Sequence, residues 1–271
     1  MIVAAAVPRA NTCDDTPYQA TSSAKTAMVS APILGRDEAW RLLAARIVDQ
    51  CEAVAEWVSG DVLPESLCGA TIDLYLDMAA SFLAFAGAYV PGYRERASGF
   101  KSLAERAQYG VNWPIDLAFA DRVSRYTGWR LEGAPGSATI SLDDWRQSVE
   151  HARRLWVWEG AALAASPLST AERIRGWISL MWRSGGQRIA SWPRWIGQMR
   201  RASPGESIYS VASELLFALP PVISGEGTLS HSKIREWGRR LPVCGSVDDW
   251  RGLARQVVWN HEMFLSGGGS G

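Results

Sequence analysis

The sequence predicts an all-α protein of one multi-helix, bundle-like domain with nine or ten helices. Three observations carry that expectation. Apolar residues return at three- and four-residue steps in nearly every segment from 34 to 265, the signature of one buried helix face. Serine–acid pairs that can satisfy orphan backbone N–H groups stand where several of these segments begin: Ser141 with Asp144, Ser169 with Glu172, Ser246 with Asp249. Pro114 and Pro193 fall in first turns, where a missing N–H costs little.

Taken in order, residues 36–59 place Trp40, Leu43, Ile47, Cys51, Val54 and Val58 on one stripe, with Arg41, Asp49, Glu52 and Glu56 largely off it. An amphipathic helix follows. Residues 65–90 are apolar nearly all round and are expected at the centre of the bundle. Their uncharged run, Met78 to Tyr93, contains Ser81 and Gly87, reaches Pro91 and is shorter than the roughly 20 residues a membrane span needs, so no transmembrane segment is expected. Further helices are predicted at 94–108, 113–127, 142–164, 170–184, 192–202, 206–218, 230–241 and 247–264. Connections are expected at 128–141, with a short hairpin, and at 221–229. Residues 1–33, rich in Ala, Ser, Thr and Pro without apolar period, read as an N-terminal arm, and 266–271 as a Gly/Ser tail.

Trp40-Arg41, Trp145-Arg146 and Trp250-Arg251 recur at a constant interval, each with an acid two positions before the Trp. The segments between them do not align. Repeated helix-start chemistry accounts for the echo: acids in the first turn, then a Trp facing the core.

Composition excludes several classes. Hydrophobic residues at 47% and charged residues at 21% belong to a folded protein, not to a disordered or collagen-like chain. The 28 basic and 28 acidic residues cancel, so any attraction to nucleic acid or an anionic membrane must be local. The only lysines are Lys25, Lys101 and Lys233. None completes a P-loop or a kinase-like V-A-I-K, and no G-x-G-x-x-G is present. Cys13, Cys51, Cys68 and Cys244 form no C-x-x-C pair, which favours buried thiols in a reducing, cytoplasmic compartment. His151, His231 and His261 lack zinc-pair spacing, and no cofactor or metal is expected. No G-x-S-x-G is present, and the start, MIVAAAVPRA, has no basic region ahead of its apolar stretch, so a secretory signal is not expected.

Charge is segregated along the chain. Between Asp37 and Tyr93 there are nine acids and two arginines; between Arg173 and Gly205 there are seven arginines and no acid. Trp177, Trp182, Trp192 and Trp195 are interleaved with those arginines. Guanidinium forks bind phosphate oxygens and flat indoles stack on bases, so the pattern suits a groove for single-stranded nucleic acid. Arg183, Arg188, Arg194, Arg200 and Arg201 are the candidate phosphate contacts, with Trp192 and Trp195 stacking on bases or bracing the groove. The basic stretch is also suited to the acidic 37–93 region, in the same chain or in a neighbouring copy. A second basic helix, 228–241, turns Ile234, Trp237 and Leu241 inward and Arg235 and Arg239 to another face, and the helix after it gives a helix-turn-helix outline.

Asp73 and Asp77, four apart on an apolar helix, project from one face. With Glu206-Ser-Ile-Tyr-Ser210-Val-Ala-Ser-Glu214 they resemble the two metal-binding segments of class I terpene cyclases, which are all-α and lined with aromatics. That resemblance implies magnesium-dependent diphosphate chemistry at Asp73, Asp77, Ser210 and Glu214. The first segment lacks an adjacent second Asp, and Glu206 and Ser207 stand where the family has Asn and Asp. The reading the residues favour is a non-enzymatic helical protein that binds an anionic polymer, single-stranded nucleic acid, in a self-assembling, homo-oligomeric nucleoprotein or coat-like particle. A protein-interaction module without nucleic acid is the third reading.

Overall fold

The structure, a computed structural model, describes residues 34–57, 63–110, 112–134, 139–164, 174, 176–178, 192–199 and 202–264. The segments expected as terminal arms lie outside these residues, as does nearly all of the helix expected at 170–184. Nine helices have described bounds, and no strand occurs among the described residues: α1 (Arg36–Glu56), α2 (Glu65–Phe85), α3 (Tyr93–Ala107), α4 (Leu117–Glu132), α5 (Leu142–Ala164), α6 (Trp192–Gln198), α7 (Pro204–Ile223), α8 (His231–Arg240) and α9 (Trp250–Phe264). The chain is all-α, as its periodicity predicts.

The central pair is α1 and α2, which pack along their lengths. Helix α2 buries Leu74, Tyr75, Met78, Phe82, Leu83 and Phe85 among others and is packed by α3, α4 and α5, while α7 and α9 pack on α1. It is the one helix among the described residues long and apolar enough to cross a membrane. Its buried faces are those of a core helix.

Aromatic residues build much of this core. Phe82, Phe100 and Phe119 form an edge-to-face chain, with ring centroids 5.4 and 4.9 Å apart. Trp40 stacks on Trp156 at 4.8 Å. Trp145, in the first turns of α5, is fully buried and donates from Nε1 to Oε1 of the equally buried Gln50 at 3.0 Å. Replacing it with Phe keeps most of the apolar contact and leaves that carboxamide oxygen without a donor. A loss of about 1–3 kcal/mol is expected in a urea titration.

Helix starts follow the capping logic with three shifts. Ser141 and Asp144 cap α5 reciprocally as expected: Asp144 N donates to Ser141 Oγ at 3.1 Å and Ser141 N to Asp144 Oδ2 at 3.3 Å. The helix expected at 113–127 instead spans Leu117–Glu132, because Asp116 accepts from Phe119 N at 2.8 Å and sets the start beyond Pro114. It runs through the expected connection to Gly133, whose φ of 88° ends it; residues 135–138, at the expected hairpin, lie outside the described residues. Helix α7 begins earlier than predicted, on a capping box of Ser203 and Glu206, and continues to Ile223 across Pro220 and Pro221 in its last turn. Helix α9 is capped by Asp249, which accepts from Gly252 N at 2.6 Å, and not by Ser246.

The three Trp-Arg sites do share helix-start chemistry. Glu38 accepts from Gly35 N before Trp40, Asp144 caps before Trp145, and Asp249 caps beside Trp250. Only Trp145 is fully buried.

Candidate functional site

Of the residues expected to line a nucleic-acid groove, Arg183, Arg188, Arg200 and Arg201 lie outside the described residues, as do the side chains of Trp192 and Arg194. Trp195 is described, and it corrects one expectation. Its ring is fully buried, 6.0 Å from the buried Trp177, and its Nε1 donates to the Pro242 carbonyl at 2.5 Å. Trp177 donates likewise to the Ala202 carbonyl at 2.6 Å. An indole consumed in this way offers no face to a base. These two tryptophans anchor the short described segments that carry them, and Trp195 is not available for stacking on a base.

The carboxylates proposed for a metal are taken by arginines. Arg46 donates from Nε to Asp77 at 2.5 Å and from Nη1 to Asp49 at 2.7 Å, and Arg130 pairs with Asp73 at 3.1 Å. Burial pushes Asp77 above the usual carboxylate range even against Arg46. On α7, Glu214 accepts from both terminal nitrogens of Arg240, at 2.6 and 2.9 Å, and from Trp237 Nε1 at 2.7 Å. Ser210 joins them as acceptor from Arg240 and donor to Glu214. Burial alone would raise the Glu214 pKa; the Arg240, Trp237 and Ser210 hydrogen bonds outweigh it and hold the carboxyl below its ordinary value. Among the described residues no group of three His, Cys, Asp or Glu is placed to hold a metal. Asp73, Asp77, Ser210 and Glu214 therefore work as interhelical ties: the first two fix α2, the second two clamp α8 to α7.

That clamp has a consequence for the basic helix. With Ile234, Trp237 and Gly238 buried, Arg235 and Arg239 are turned to solvent on the opposite side, as the sequence predicts. Neither belongs to an ion pair among the described residues, whereas Lys233 pairs with Glu236 at 3.6 Å and Arg240 with Glu214. Facing them is the 244–247 connection. The two sides enclose an open cleft of about 260 Å³ lined by Arg235, Gly238, Arg239 and Cys244 to Val247, with no carboxylate among the described residues. Gly238 makes the close approach possible, because a Cβ there would lie 2.8 Å from Cys244 Sγ. Sequence reasoning found the arginine face but not the wall opposite it; a glycine in the buried stripe of an otherwise regular helix was the available signal.

Helix α6, the best-described part of the arginine-rich stretch, docks beside this cleft. Besides the Trp195 bond to Pro242, Gln198 Nε2 donates to the Arg239 carbonyl at 3.2 Å. The acidic side of the molecule is distinct. Glu52, Glu56 and Glu262, with Arg255 and Trp259, line a groove of about 290 Å³ between α1 and α9, and burial followed by the neighbouring charges of Glu262, Asp49 and Glu56 raises the Glu52 pKa.

Compared with protein-family models, with curated proteins and with solved structures, the chain matches none.

Proposed function

We propose that the protein is a non-enzymatic binder of an anionic polymer, single-stranded nucleic acid, and that it works as a subunit of a self-assembling cytoplasmic nucleoprotein. One observation carries the reading: α6, which falls within the arginine-rich 173–205 sequence, is tied to the Arg239 and Pro242 carbonyls beside the unpaired Arg235–Arg239 face of α8. A local basic patch there is compatible with a neutral whole. The ties of Asp49, Asp73 and Asp77 to Arg46 and Arg130 support the same reading, because those acids are already neutralised within the N-terminal helices.

Binding of this kind releases counter-ions, so affinity for an oligothymidylate should fall steeply as salt rises. Neutralising Arg200 and Arg201 together is expected to flatten the plot of log affinity against log salt by about 1 to 2. Fluorescence anisotropy with the full chain measures it. Retention of the oligonucleotide by the double variant with the slope of the parent chain would remove the arginine stretch from the interface. A high ratio of absorbance at 260 to 280 nm in freshly purified protein that elutes from size exclusion earlier than a single chain would is the corresponding result for the assembled state.

A further inference from the structure

We infer that the cleft between α8 and residues 244–247 is a seat for one phosphate group of a nucleic-acid strand, held by Arg235 and Arg239. The strand's identity rests on the proposed function; the seat itself rests on geometry. The two guanidinium groups stem from positions four apart on α8, hence from one face, and line the same concavity. Among the described residues neither has an acid partner.

The acids nearest in sequence are accounted for. Glu236 faces Lys233, Asp249 caps α9, and exposed Asp248 does not line the cleft. Two unpaired arginines held side by side repel each other, and an oxyanion between them turns that repulsion into attraction. On the opposite side the exposed backbone of Gly245 and the Ser246 hydroxyl supply small polar groups instead of bulk.

Size restricts the occupant. At about 260 Å³ the cleft is below the roughly 300 Å³ at which pockets for whole small molecules begin, and it is open on one side. A single phosphate that remains attached to a chain passing outside fits this shape; a fully enclosed ligand does not. The supporting structure is rigid where it matters. The bidentate Arg240–Glu214 pair and the Trp237–Glu214 hydrogen bond fix the rotation of α8, and Asn260 pins the connection by accepting from Val243 N at 2.9 Å and donating to Val243 O at 2.7 Å.

The test uses the full chain and two probes. In amide NMR, inorganic phosphate added against chloride at equal ionic strength is expected to shift the Gly245 and Ser246 resonances in the parent chain, and not in the Arg235→Gln, Arg239→Gln double variant. With oligothymidylate, the double variant is expected to bind about tenfold more weakly and to lose about 0.7 from the salt slope, the contribution of one phosphate contact on a single strand. Both side chains are exposed, so the variant should keep the parent's melting temperature. If it binds oligothymidylate with unchanged affinity and slope, the seat is overturned while the proposed function stands. If phosphate shifts these amides no more than chloride does, the seat is likewise overturned. If the parent chain shows the phosphate shifts but no oligothymidylate binding, both the strand assignment and the proposed function fall.

Discussion

Replacing Glu159 with Gln should make the protein more stable at neutral and alkaline pH, by about 3 kcal/mol at pH 7 relative to their difference at pH 4 and by about 5 at pH 9. Glu159 lies on the core face of α5, in register with Trp145, Val149, Ala152 and Leu155, and none of its surface is exposed. Neither carboxyl oxygen has a hydrogen-bond partner, and the nearby Ser81 Oγ on α2 has none either. Burial pushes this carboxyl up to about 8. No charged group from the packed helices offsets it. The folded-state pKa is thus raised above the ordinary value near 4.5, and the folded chain holds a proton that the unfolded chain has released between the two values. Stability is full below about 4.5, declines as pH rises towards 8, and stays low beyond it. Glutamine keeps the shape and cannot ionise. Denaturant titrations of parent and variant from pH 4 to 9 measure the difference, and two parallel profiles would show that the carboxyl is not held neutral.

The same residue shows where sequence reading stops. Periodicity identified the helices because burial of one stripe is a local property of the chain, and it would have placed Glu159 on that stripe. It had no means of telling a buried acid from one at the edge of a stripe, since the answer depends on α2 supplying Ser81, Phe82 and Phe85 across the contact. The tryptophans show the same limit. The four that fall among the arginines of 173–205 suggested stacking platforms, yet Trp177 and Trp195 turn inward and spend their N–H groups on backbone carbonyls. Residue type sets what a side chain can do, and only packing decides which face it presents. Asp73 and Asp77 stand four apart on α2, but the arginines that claim them come from α1 and α4, 31 positions away in the case of Arg46 and Asp77. Long-range pairing of this kind leaves no trace in local spacing. The α8 cleft was half legible for the same reason: Arg235 and Arg239 are on one helix, while the opposite wall follows from a tertiary contact at Gly238.

Acidification is expected to weaken the fold from the other side, by about 3 kcal/mol between pH 6.5 and pH 4, through His151. This imidazole is buried at the centre of an aromatic cluster. It lies parallel to the Phe119 ring at 4.4 Å, and its Nδ1 is 3.1 Å from the Tyr75 hydroxyl, which is itself buried. Burial, reinforced by Arg154 and Arg122, lowers its pKa from 6.5 to about 4, and the opposing pull of Asp116 and Glu150 is too weak to restore it. The unfolded chain therefore binds a proton in this window that the folded chain refuses. The His151 contribution to stability is complete above about 6.5 and is lost progressively as pH falls to 4. Asp116, Glu150 and Glu214, all held below their ordinary values, add their own losses only at the lower end and beneath it. In a His151→Gln variant, which can still exchange a hydrogen bond with Tyr75 but has no proton to gain, stability relative to the parent should rise by about 3 kcal/mol from pH 6.5 to pH 4, because the contributions of Glu159 and of His261, whose pKa burial also lowers, are common to both chains; the lost ring stacking lowers the variant's stability at every pH. The slope, and not the absolute stability, isolates the imidazole. A variant whose profile runs parallel to the parent's through that interval would show that the His151 imidazole is not the group that refuses the proton. Combined with the Glu159 effect, the two buried groups confine maximal stability to mildly acid and near-neutral pH, each by refusing charge in a core whose neighbouring charges do not offset its burial.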